Sequence, residues 1–110
     1  MDEIILVMTN LPDQDSARRV ADALVEQRAA ACVNLLPKCT SLYRWQGKIE
    51  SAHEVPLLIK TTQGAYSRVE ALIRELHPYE LPEIIAVRVV AGLPDYLQWV
   101  RVETKIPVIE

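Results

Sequence analysis

A chain of 110 residues, half of them apolar, has enough material for one folded unit with its own core and too little for two. Twelve basic against fifteen acidic residues leave a net charge of -3 with no run of Lys or Arg, which argues against a nucleic-acid footprint. The first residues are acidic and lead into an apolar run too short for a signal peptide or a membrane span, so one soluble, cytoplasmic domain over residues 1–110 is expected, with neither nucleic acid nor membrane as partner.

Ile4 to Met8 is an apolar run rich in β-branched residues and predicts the first strand. Pro12 and Asp13 break it and offer a helix cap. Beyond Asp13, Ala17, Val20, Ala21, Leu24 and Val25 recur at three-and-four spacing, which predicts a first helix to about Arg28. Ala31 to Leu36 is apolar again, and the pattern resumes after Pro37 through Tyr43 and Trp45, so the second strand should bend or bulge at the proline. Gln46-Gly47 supplies a hairpin turn, and a third strand follows from Lys48 to Thr61, with Pro56 at a rung that needs no amide donor. Gly64 opens a second helix, whose Ala65, Val69, Leu72, Ile73 and Leu76 share a face until Pro78 ends it. Ile84 to Val90, nearly all β-branched between Pro82 and Gly92, predicts a central fourth strand. Pro94 fits the first turn of a short third helix to about Glu103, and Ile106 to Ile109 fits a final edge strand or docking arm. The order is that of an α+β, ferredoxin-like βαββαβ sandwich with a long β-hairpin, a short C-terminal helix and an edge strand. Many functions share that fold, so it decides none of them.

Two regions concentrate chemistry. His77-Pro78-Tyr79-Glu80-Leu81-Pro82-Glu83 holds an imidazole, a phenol and two carboxylates between two prolines, which suits a pre-ordered binding loop and equally a plain helix-to-strand connection. In the hairpin, a two-residue turn sets Trp45 opposite Lys48, Tyr43 opposite Glu50 and Ser41 opposite Ala52, so two large aromatics share a face near the tip. Arms of roughly a dozen residues are about twice the usual strand length and should overhang the sheet. Either another subunit covers Tyr43 and Trp45, or they pack on the chain's own core. Two cysteines make no disulfide framework, and no C-x-x-C, H-E-x-x-H or glycine-rich phosphate loop occurs, so no organic cofactor is expected. No nucleophile and base stand together in a recognisable motif, and no enzyme activity is expected.

Ala30-Ala31-Cys32-Val33-Asn34, Ser41 to Glu50, Glu54 to Thr61, His77 to Ile84 and Tyr96-Leu97-Gln98-Trp99 together resemble the CutA family of divalent-cation tolerance proteins, along Ile5 to Trp99. The resemblance implies a homotrimer, similar in architecture to PII-type signalling proteins, whose hairpins pair across subunits. It also implies a link to copper or another divalent cation. Thiolates and thioethers select Cu(I) and imidazole suits Cu(II) or zinc, which makes Cys32 and His77 the metal candidates. Cys32 is read either as a ligand or as a small buried hydrophobe. Met8 stands where some copper-binding relatives carry cysteine, and its uncharged thioether makes a weaker ligand. Cys39 is read as incidental and His53 as a solvated strand residue. The resemblance further assigns Tyr43, Trp45, Glu54, Lys60, Tyr79, Glu83 and Trp99 to clefts between subunits, as a pocket for a small polar ligand. Lys60 and Glu83 then form either a ligand-recognition pair or a salt bridge at the junction. Three function classes follow: a metal-associated trimer, a PII-like small-molecule sensor, and a trimeric scaffold or anchoring subunit.

Overall fold

Alternation along the first apolar run sets the sheet. In the computed structural model, which describes residues 1–107, β1 (Ile4–Leu11) turns Ile5, Val7, Thr9 and Leu11 to one face, where all four are buried. Antiparallel β4 (Lys48–Thr62) answers with Thr61, Ile59, Leu57 and Val55 at the matching rungs. Two helices close that face, because Ala17, Val20 and Leu24 of α1 (Gln14–Glu26) and Val69 and Ile73 of α2 (Tyr66–Leu76) project into the same core. Complete burial of a side chain such as Leu24 or Ile59 contributes about 1.5–3 kcal/mol. Asp13 starts α1 by accepting the Ser16 amide at 2.8 Å, and that hydrogen bond holds its carboxyl below the usual range. Arg28, at φ 57°, ends the helix in the left-handed region.

β2 (Cys32–Leu35), β3 (Cys39–Trp45) and β5 (Ile85–Arg88) complete the sheet, with strands ordered β2-β4-β1-β5 and β3 also on β4, all pairings antiparallel. This is the ferredoxin-like arrangement expected from the element order. The predicted bend falls at Pro37 and splits β2 from β3. Pro56 lies across from that break, with its carbonyl accepting the Leu36 amide at 2.9 Å. The amide and carbonyl of a strand residue point the same way, so the donor that proline lacks faces the gap, where little pairing is lost.

At the hairpin tip Gln46 and Gly47 sit at φ 50° and 79°, the signature of a type I′ turn. Trp45 opposes Lys48, Tyr43 opposes Glu50 and Ser41 opposes Ala52, the register the two-residue turn requires. Pairing of β1 with β4 stops at Val55, so residues 48–54 and β3 project about 24 Å past the sheet body. The molecule is accordingly 51 Å long and 23 Å thick. A methyl group on Gly47 would meet nothing within 4 Å, which leaves only the backbone cost of holding alanine at positive φ. Gly47→Ala is therefore expected to lower stability by about 1 kcal/mol, read as an earlier urea midpoint with an unchanged slope.

Two expectations change. The run Ile84 to Val90 forms only the four-residue β5, and it lies at the sheet edge beside β1 rather than at the centre, with all four residues exposed. Its composition suits a strand covered on both sides, and among the described residues nothing buries it. Ile106 and Pro107 are not in a strand, and the rest of the predicted terminal strand lies outside the described residues. α3 (Pro94–Glu103) crosses the far side of the sheet against β1 and β4. Arg28 donates to the Glu103 carbonyl at 3.4 Å and Arg68 to the Thr104 carbonyl at 3.0 Å, which ties its end to α1 and α2. No helix among the described residues is long and apolar enough to cross a membrane.

Candidate functional site

The parity that buries Val7 and Ile59 turns Leu6, Met8 and Asn10 of β1, Lys60 of β4 and Cys32 and Asn34 of β2 to the face away from α1 and α2. On that side, and on the hairpin, the seven expected pocket residues separate into two groups.

The first group lines a groove of about 830 Å³ between the hairpin base and the proline-bounded loop, and contains Tyr43, Trp45, Glu54, Tyr79 and Glu83. Alternation along β3 and the cross-strand register set Tyr43, Trp45 and Glu54 on one hairpin face. Asn10, at the end of β1, pins the loop against them. Its side-chain amide donates to Glu83 Oε1 at 3.4 Å, and its main-chain carbonyl meets His77 Nε2 at 2.6 Å. The Tyr79 amide donates to His77 Nδ1 at 3.1 Å, which assigns the ring proton to Nε2, and the His77 and Tyr79 rings lie 4.8 Å apart. Glu54 is 8% exposed with the Tyr79 hydroxyl beside it, and burial first, then the Glu54 charge, raise the Tyr79 pKa. Tyr79 therefore keeps its proton and remains a donor across the neutral range.

The second group lies at the other end of the face. Lys60 donates to Asn34 Oδ1 and comes within 3.9 Å of Cys32 Sγ. Tyr96 approaches the same sulfur, and burial, followed by that sulfur, raises its pKa. Trp99 stacks at a tilt on Tyr96, with ring centres 5.6 Å apart. Lys60 and Glu83 make no salt bridge within the chain; among the described residues the ion pairs are Arg18–Asp22 and Arg88–Glu3.

The metal candidates do not meet either. Both nitrogens of His77 are engaged, and the residue is buried, so imidazole would have to abandon one of its two hydrogen bonds to ligate an ion. Asn10, which holds it, lies two strands and four residues of register from Cys32, roughly 17 Å. Among the described residues no three His, Cys, Asp or Glu side chains gather into a metal centre. Within one chain Cys32 and His77 thus lie too far apart to hold a common ion. Met8 sits between Leu58 and Ile85, Cys39 nears only the Ser41 hydroxyl at 3.8 Å, and His53 contacts Thr40 on the exposed hairpin. Asn10, Asn34 and Tyr96 were not among the expected site residues. Strand parity could have drawn attention to the two asparagines, since both fall on the face away from the helices.

The profile of the CutA1 divalent ion tolerance protein family matches residues 5–103. The chain belongs to that family. It is 44% identical over 104 residues to a divalent-cation tolerance protein CutA of Thermus thermophilus, covering 94% of this chain and 99% of the relative. It is 47% identical to a human protein CutA over 86% of its own length, and spans about half of that longer relative. A crystal structure of CutA from Xylella fastidiosa superposes with a TM-score of 0.91 at 46% identity, covering 94% of this chain and 99% of that one. The family and the Thermus relative are named for divalent ion or cation tolerance.

Proposed function

We propose that this CutA1 family member works in the cytoplasm as a homotrimer in divalent-cation tolerance, with its working sites at the subunit junctions. The observation that carries this reading is the division of the pocket residues into two incomplete halves, Tyr43, Trp45, Glu54, Tyr79 and Glu83 in one and Lys60 and Trp99 in the other. Symmetric copies can complete each half with the other across a junction. The uncovered apolar residues Leu42, Ile49, Ile85 and Val87 give such copies a surface to bury.

Copper enters this reading through the Cys32 thiol, because His77 is committed to holding the loop. A single thiolate with Lys60 nearby makes a modest site. Competition with a Cu(I) chelator is expected to show that Cys32→Ala loses any specific copper binding while Cys39→Ala keeps it. The opposite pattern removes Cys32 from the assignment. A second reading, a small-molecule sensor similar to PII proteins, is favoured by the groove itself, which is large enough for a metabolite and has three aromatic side chains in its wall. Stabilisation by a metabolite in metal-free buffer tests it.

A further inference from the structure

We propose that a cavity between the start of α2 and the end of α3 binds a small phosphate-bearing anion, inorganic phosphate or a phosphate monoester, apart from the sites at the subunit junctions.

The charge in its wall runs against that of the chain. The net charge is -3, yet this cavity of about 480 Å³ is lined by Arg68, Arg101 and Lys105 against the single carboxylate of Asp2. That carboxylate is already engaged. Its Oδ1 accepts the Gly64 amide at 3.1 Å, and its Oδ2 packs so closely on Gly64 that an added Cβ would meet it at 2.6 Å. Among the described residues the ion pairs are Arg18–Asp22 and Arg88–Glu3, so no carboxylate is in salt-bridge contact with any of the three cations. Three cations less one carboxylate leave two positive charges in excess. A phosphate monoester carries about 1.5–2 negative charges at neutral pH and matches that excess.

The two guanidinium groups are held in advance. Arg68 donates to the Arg28 carbonyl at 3.2 Å and the Thr104 carbonyl at 3.0 Å, and Arg101 Nε donates to the Asp2 carbonyl at 2.8 Å. Main-chain carbonyls fix these groups without cancelling their charge. A guanidinium has five N–H donors, so each keeps unspent donors for the oxygens of a ligand. Prior fixation also lowers the entropy cost of ordering the two side chains around an anion. Thr62, only 4% exposed, stands in the same wall, and its hydroxyl donates to nothing among the described residues. A phosphate oxygen would supply its acceptor.

The cavity is separate from both halves of the junction pocket. A helix turns about 100° per residue, which sets Arg101 roughly 160° round α3 from Trp99 and about 140° from Tyr96. Lys105 follows Arg101 one turn later. A neighbouring copy seated on Trp99 and Lys60 therefore meets the other side of α3 and leaves this cavity open.

The test is calorimetric titration of the full-length chain with inorganic phosphate and glucose 6-phosphate, beside neutral glucose and the dicarboxylate succinate. At least one of the two phosphates is expected to bind about tenfold tighter than succinate, and glucose not at all. A tenfold preference for glucose 6-phosphate over inorganic phosphate assigns the site to an ester, and equal binding or the reverse preference assigns it to the free ion. Either result supports the proposal. Arg101→Gln should weaken phosphate binding about tenfold, and Lys105→Gln, at an exposed position, about threefold with an unchanged melting temperature. Asp2→Asn keeps an acceptor for the Gly64 amide and removes the opposing charge, so it should tighten binding about threefold. Should Arg101→Gln fail to fold, the other two variants decide. Succinate binding as tightly as phosphate, glucose binding as tightly as its phosphate, or no binding up to about 10 mM overturns the proposal. Unchanged affinity in all the folded variants also overturns it. A tenfold gain in Glu110→Gln would assign the cavity to the chain's own tail and overturn a diffusible ligand.

Discussion

Light scattering behind gel filtration at low micromolar concentration is expected to give three times the mass of the chain, and Ile85→Asp combined with Val87→Asp is expected to reduce it to one. Both side chains stand on β5, whose four residues are exposed at the sheet edge. They point to the face away from α1 and α2, beside Leu6 and Met8. Burying two carboxylates without partners in a subunit junction costs several kcal/mol for each ion, enough to dissociate a micromolar assembly. The substituted residues are exposed in the single chain, so the variant should keep its circular dichroism spectrum. A parent that stays monomeric at tens of micromolar defeats the trimer and the completion of split pockets across junctions.

The second large effect is expected at His77. Removing the ring in His77→Ala orphans the Asn10 carbonyl and the Tyr79 amide and leaves a void beneath the loop. Each unsatisfied buried group costs about 1–3 kcal/mol, so the variant should lose about 3 kcal/mol in all, with copper stoichiometry unchanged. Calorimetric melting beside a chelator competition measures both. Undiminished stability with a tenfold loss of copper affinity would instead make the imidazole a ligand and remove it from its structural role.

The hairpin was readable from its two turn residues, because Gln46-Gly47 admits a short loop and the loop then sets every rung from Trp45–Lys48 outward. Both helices were readable for a similar reason, since three-and-four spacing reports a local geometry. What stayed hidden depends on residues far apart in the chain. His77 carries the same imidazole whether it binds metal or clamps a loop, and only the proximity of Asn10, 67 positions away, decides between them. Ile84 to Val90 reads as a strand covered on both sides, and composition does not say whether the cover comes from the same molecule. The separation of Lys60 and Trp99 from Tyr43 and Glu83 is likewise set by sheet register, which no local pattern encodes.

β4 is one strand by its hydrogen bonds and two by its company. From Val55 onward it lies between β1 and β2 above the core, whereas residues 48–54 have β3 alone beside them, and Pro56 stands where one set of neighbours gives way to the other. Sequence drift should therefore be judged by different criteria on either side of that proline. A change from Val55 onward disturbs the packing that keeps the domain folded, while a change in residues 48–54 leaves that core alone and is felt by whatever surface the hairpin meets. The tip is free to vary for recognition without putting the fold at risk.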